Sequence, residues 1–255
     1  MKITFLGTGT SQGVPVIACN CPVCKSGDTR DKRLRTSLLI EIDKFTFVID
    51  AGPDFRQQML RENVQNLDAI LITHEHKDHI GGMDDVRAYN FKSRKPINIY
   101  CDSRVNKAIK REYEYVFADN KYPGVPLMDI NILDGSPFDL FGYNVIPIPV
   151  MHNNLPVFGY RMGGLSYITD ANLISNESLL IMEGSDCLVI NALRREKHIS
   201  HFNLEEALRI IEQIKPRFAY ITHIGHQLGM HSEISKELPG NVKLAYDGLS
   251  CQVQQ

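Results

Sequence analysis

No apolar run in this 255-residue chain is long enough to cross a membrane as a helix. The opening segment Met1–Thr10 has too short an apolar stretch for a signal peptide. Lys2–Leu6 reads instead as a first strand entering a turn at Gly7-Thr8-Gly9-Thr10. Net charge is also nearly absent: 28 Lys and Arg against 30 Asp and Glu leave −2, too little to draw the whole chain to nucleic acid or an anionic membrane. Internal repeats, low-complexity tracts and long linkers are lacking, so the simplest organisation is one α/β domain over residues 1–255. These absences lead to the expectation of a cytoplasmic protein, where thiols stay reduced and clustered cysteines more often bind metal than pair as disulfides.

What is present is a strand-rich pattern. β-branched or aromatic runs at 2–6, 37–42, 46–49, 69–73, 97–101, 145–150, 167–169, 187–190, 218–222 and 242–246 predict strands. Leu204, Ala207, Leu208, Ile211 and Ile214 outline a helix, with Asn203 and Glu206 as an N-terminal capping pair and Pro216 beyond its end. Further helices are predicted over 55–62, 85–91 and 104–117. Many strands follow one another directly, which favours mixed sheets over a regularly alternating parallel one.

Five apolar runs end in a residue able to bind or orient a metal: Asp50, His74, His152, Asp170 and His223. A single strand-end histidine is ordinarily satisfied by backbone partners. Five such endings together place imidazoles and carboxylates along one rim. The second run continues Thr73-His74-Glu75-His76-Lys77-Asp78-His79-Ile80-Gly81-Gly82. Alternation after the strand sends His74 and His76 to one side, and Asp78 and His79 begin the next turn. Two adjacent metals follow, and the ligand types suit zinc, manganese or iron.

A second cluster, Cys19, Cys21 and Cys24, supports three readings from spacing alone: a redox pair, metal ligands or free thiols. Cys101, Cys187 and Cys251 stand alone and read as core or surface thiols. The basic run Arg30, Lys32, Arg33 and Arg35 could approach a phosphate, although such runs are ordinarily solvated surface. His198 and His231 match no motif.

The sequence His-x-His-x-Asp-His after a strand, with His152, Asp170 and His223 downstream, resembles the metallo-β-lactamase superfamily of binuclear hydrolases. That resemblance implies a four-layer αββα sandwich of two mixed β-sheets flanked by helices. It also implies that His74, His76 and His152 hold one metal, that Asp78, His79 and His223 hold the second, and that Asp170 bridges them. Asp50 would orient a ligand from behind. The Gly7-Thr8-Gly9-Thr10-Ser11-Gln12-Gly13-Val14-Pro15 stretch, Cys-x-Cys-x-x-Cys, Ser200-His201-Phe202-Asn203-Leu204, Thr222-His223-Ile224-Gly225-His226-Gln227 and Tyr246-Asp247-Gly248 resemble the phosphoribosyl cyclic phosphodiesterase branch. By that likeness Cys19, Cys21, Cys24 and His226 bind a structural zinc, and His201 protonates the departing oxygen.

The implied function is binuclear, Zn- or Mn-dependent hydrolysis of a small cyclic or nucleotide-like phosphodiester, with Asp78 and His201 as catalytic residues. The alternatives are a transfer-RNA 3′-processing endoribonuclease, a thioester or lactone hydrolase, and a metal-binding scaffold without activity. Among partners, a small phosphodiester is favoured, nucleic acid is disfavoured but not excluded, no membrane is expected, and a homodimer is left open.

Overall fold

The computed structural model describes residues 1–255. Its strands are β1 (Lys2–Gly7), β2 (Ser37–Ile42), β3 (Phe45–Ile49), β4 (Ala69–Leu71), β5 (Ile97–Asp102), β6 (Met128–Leu133), β7 (Phe138–Leu140), β8 (Tyr143–His152), β9 (Leu155–Met162), β10 (Leu165–Tyr167), β11 (Leu173–Ile174), β12 (Cys187–Asn191), β13 (Phe218–Thr222), β14 (Val242–Leu244) and β15 (Ser250–Gln252). The helices are α1 (Pro22–Lys25), α2 (Phe55–Arg61), α3 (Lys77–Ile80), α4 (Arg87–Ser93), α5 (Ser103–Glu112), α6 (Glu114–Phe117), α7 (Asn176–Met182), α8 (Leu204–Ile214) and α9 (His231–Ile234). None is long and apolar enough to cross a membrane.

The strands form two mixed sheets. One has the order β15-β1-β2-β3-β4-β5-β6, the other β11-β8-β9-β10-β12-β13-β14, with β7 paired to β8. Strands β3 to β6 are mutually parallel, as are β10, β12, β13 and β14. Phe5, Leu38, Phe47, Tyr160 and Tyr167 pack between the sheets. On the outer face of the first sheet, Leu39, Val48 and Ile70 meet Phe55 of α2 and Ile109 of α5. On the outer face of the second, Val150, Leu188 and Ile190 meet Leu179 of α7 and Ile211 of α8. The result is the four-layer αββα sandwich.

β12 shows why the pattern reads as it does: Cys187 and Val189 face the space between the sheets, while Leu188 and Ile190 face the helices. A strand covered on both sides is apolar throughout. Several predicted boundaries move. The strand expected at 167–169 lies at Leu165–Tyr167, and the helix expected over 104–117 breaks at Tyr113, where φ is −120°. The predicted 85–91 helix begins as a 3-10 turn and becomes α-helical only at Arg87. β6, β7, β9, β11 and β15 were not anticipated from sequence.

Candidate metal centre

The five strand-end residues meet at one rim because β3, β4, β10 and β13 all reach it with their C-terminal ends, and β8 does the same. Asp50, Asp170 and His223 have φ of 64°, 54° and 54°. Left-handed backbone in non-glycine residues is uncommon and clusters at functional sites. Two glycines allow the motif loop to close against β3. A Cβ on Gly52 would lie 1.9 Å from the Asp78 carbonyl oxygen, and one on Gly82 would lie 2.0 Å from that of Gly52.

Two donor sets result. His74, His76 and His152 form the first, with His74 Nε2 and His76 Nδ1 3.0 Å apart. Asp78, His79, Asp170 and His223 form the second. There His79 Nε2 is 3.2 Å from Asp78 Oδ2 and 3.3 Å from Asp170 Oδ2, and His223 Nε2 is 3.1 Å from Asp170 Oδ1. Asp170 also groups with His152 and His201, so its carboxylate faces both sets.

Tautomers follow from the supporting contacts. His79 Nδ1 lies 2.7 Å from Asp50 Oδ2 and His152 Nδ1 lies 2.7 Å from the Ser200 carbonyl. Both oxygens only accept, so each Nδ1 carries a proton and each Nε2 is turned inward. Thr73 fixes Asp50 from the other side, donating through its backbone N–H (2.8 Å) and hydroxyl (2.9 Å).

The site demands positive charge. Burial disfavours the charged forms throughout, yet the buried carboxylates overcome it. His79 is raised well above its ordinary pKa because Asp78, Asp170 and Asp50 outweigh burial, and His223 rises to about 9, against burial, through Asp170 and Asp78. Asp170 is held well below the usual range, burial again being overcome by His223 and His79. His74 and His152 are lowered by burial and stand neutral. His79 Nε2 and both His223 nitrogens are buried with no hydrogen-bond partner. Buried, unpartnered imidazole nitrogens beside carboxylates fit divalent cations.

The cysteine cluster has its own fourth donor. His226 Nδ1 lies 3.3 Å from Cys19 Sγ, 3.4 Å from Cys21 Sγ and 3.5 Å from Cys24 Sγ. Donors around a tetrahedral zinc with ordinary Zn–S and Zn–N bonds stand about 3.5 Å apart. Cys21 is lowered to about 6, first by the Cys24 backbone N–H and in part by His226, whereas burial raises Cys24 to about 11, so a metal would have to displace the Cys24 proton on binding.

His201 lies beside the centre, its ring 4.6 Å from that of His152 and 4.7 Å from that of His223. Burial, followed by the charge on His223, lowers it to about 3. An imidazole of ordinary pKa is already mostly neutral at pH 7, and burial leaves the His201 ring neutral well below that pH. The basic run does not reach the donor sets. Arg30 pairs with Asp28, Lys32 donates to the Cys24 carbonyl, and Arg35 pairs with Asp54. Arg33 is no solvated residue: it is buried and donates to Thr8 Oγ1 (2.8 Å) and the Ala245 carbonyl (2.6 Å).

Sequence reasoning missed Thr73, Ser200 and Asn172. The first had a signal, since threonine immediately precedes His74, Asp170 and His223. Ser200 acts through its carbonyl, which any residue type provides.

A family model described as a beta-lactamase superfamily domain matches residues 46–224. With this fold and this donor arrangement, the chain belongs to the metallo-β-lactamase superfamily. Within it, the chain is similar along its whole length to a diphosphatase of the PhnP family known from a crystal structure, at 37% identity and TM-score 0.93, covering 99% of this chain and 98% of that one. It is also 39% identical over 258 residues to an octanoyltransferase of Porphyromonas gingivalis, covering 100% of this chain and 52% of that protein. A ribonuclease Z of Methanococcus maripaludis is 27% identical over 170 residues, 63% of this chain and 47% of that protein. The chain therefore spans about half the length of the curated relatives it matches, and their activities belong to those longer proteins.

Proposed function

We propose that the protein is a binuclear metal-dependent hydrolase of a small phosphodiester, cyclic or nucleotide-like, converting diester and water into phosphomonoester and alcohol. The observation that carries this reading is the Asp170 carboxylate facing two donor sets with His201 alongside. His74, His76 and His152 would hold one cation and Asp78, His79 and His223 the other, Zn or Mn by ligand type, with Asp170 between them. Two such cations supply a nucleophile at neutral pH by acidifying water, and neutralise charge on phosphoryl oxygens. Cys19, Cys21, Cys24 and His226 would close a third, structural zinc site with no position left for substrate.

The residues of the chain position and protonate. Asp50 and the Ser200 carbonyl fix the two ligand imidazoles. His201 would deliver a proton to the departing oxygen: neutral at rest, it gains basicity when an anionic phosphoryl group lies beside it.

Metal-reconstituted protein is expected to turn over bis(p-nitrophenyl) phosphate, and an Asp78→Ala, His79→Ala double variant to lose more than about 100-fold. Comparable turnover by that variant would remove the binuclear assignment. His201→Ala should lose most rate on diesters with poor leaving groups; equal losses on good and poor ones would argue against an acid role. Cleavage of a diphosphate is the second reading, favoured by the similarity to the PhnP-family diphosphatase.

A further inference from the structure

The first donor set opens, through His76 and His152, onto a cleft of about 420 Å³. His76 and His152 form its floor, Asn153, Asn154 and Leu155 one wall, and Ile199 with Ser200 the other. The first wall is the two-residue turn joining β8 to β9, which begins directly after His152. Asn172 fastens the walls together: its Oδ1 accepts from the Asn153 backbone N–H (2.7 Å) and its Nδ2 donates to the Ile199 carbonyl (3.1 Å).

The chemistry of this lining is unusual beside a centre meant for anions. Apart from the imidazoles it contains no ionisable side chain, and of its two apolar members, Leu155 and Ile199, the latter is 77% exposed. The neighbouring arginines are committed elsewhere, and Lys197, exposed two residues before Ile199, is not part of the lining. Arg194 donates to Gln227 Oε1 (3.2 Å) and the Lys197 carbonyl (2.9 Å), while Arg104 pairs with Glu75 at 3.0 Å. The cleft thus offers two carboxamides for hydroxyl or ring-nitrogen hydrogen bonds and two aliphatic faces for a flat ring, but nothing to pair with a second phosphate.

From this we propose that the cleft is the subsite for the departing alcohol, and that it selects an uncharged, hydroxyl-bearing group of sugar or nucleoside size over a terminal phosphate. The inference rests on the phosphodiester reading and refines it. Its side is set by Ser200, which lines the cleft and immediately precedes His201.

The test compares two methyl aryl phosphodiesters whose phenol departs in both cases: methyl 4-nitrophenyl phosphate and its 4-carboxy-2-nitrophenyl analogue, which carries an added negative charge in the cleft. The metal-loaded protein should favour the ester with the uncharged aryl group by about tenfold in kcat/KM or more. Ile199→Lys should narrow that preference to within about twofold, and Asn154→Ala should raise KM with little change in kcat. Because Ile199 is exposed, its substitution leaves the core intact. A ratio near unity in the parent protein, or a ratio indifferent to Ile199→Lys, would overturn the subsite. If neither ester is cleaved, the phosphodiester reading fails instead. Adenosine and ribose titrated separately by calorimetry then decide the subsite: binding weakened by Ile199→Lys supports it, and no binding of either at millimolar concentration overturns it.

Discussion

Asp50 has no exposed surface and carries no substrate-facing atom, yet its carboxylate receives three hydrogen bonds, from Thr73 N–H, Thr73 hydroxyl and His79 Nδ1. By holding the proton on His79 Nδ1 it keeps Nε2 free for a cation. Asp50→Ala should therefore weaken the second metal about 10- to 100-fold, read as metal content at graded free zinc; unchanged occupancy would contradict the role. His231, which matched no motif, instead supports the fold: Arg33 Nη2 lies 3.2 Å from its Nδ1, so the ring must be neutral to accept. Burial, then Arg33 and Arg30, lower it from 6.5 to about 4, with Asp28 and Asp31 opposing. Between these values the unfolded chain binds a proton that the folded chain refuses, so stability rises with pH across that window and is lost on acidification. Urea midpoints of His231→Gln should fall less steeply than the parent's between pH 6.5 and 4, by up to one proton in slope. Such roles were illegible in sequence because they depend on which distant side chain arrives, as Arg33 does across 198 residues.

At the scale of elements, legibility followed burial and local chemistry. α8 was readable to its ends: Asn203 Oδ1 accepts from Glu206 N–H at 2.8 Å, and Glu206 Oε2 accepts from Asn203 N–H at 3.0 Å. β12 and β13, buried nearly throughout, were readable from continuous apolar runs. β9 was not, because Pro156 and Gly159 interrupt its alternation, and Gly159 is required where a Cβ would lie 2.6 Å from the Tyr167 carbonyl. Edge strand β6 was hidden by Asp129 and Asn131, polar residues that a half-exposed edge tolerates. The capping pair is directly testable. Asn203→Ala should cost about 1 kcal/mol, measured by urea unfolding at constant m-value, and Asn203→Gly a few tenths. Equal losses for the two would point to side-chain packing in place of capping.

Across the whole molecule, the donor motif was readable because four of its seven positions lie in one run of six residues, whereas the convergence of His152, Asp170 and His223 depends on the register of a second sheet. The cysteine cluster makes the same connection from the other direction. Its donors are separated by more than 200 residues, with Cys24 and His226 202 apart and Cys19 and His226 207 apart. His226 also lies three residues beyond His223 in the same loop. A metal bound there would close a loop of most of the chain, removing conformational freedom mainly from the unfolded state, by several kcal/mol in the chain-entropy picture. It would also hold the His223 end of the second donor set in place. Cys21→Ser should accordingly lower zinc content by one ion per chain, reduce the thermal midpoint, and make the midpoint insensitive to chelator concentrations that destabilise the parent. Loss of the thermal increment with zinc content unchanged would mean that Cys21 acts by packing. Loss of zinc with no thermal change would mean that β15 pairing with β1 already joins the two ends of the chain firmly enough without the metal.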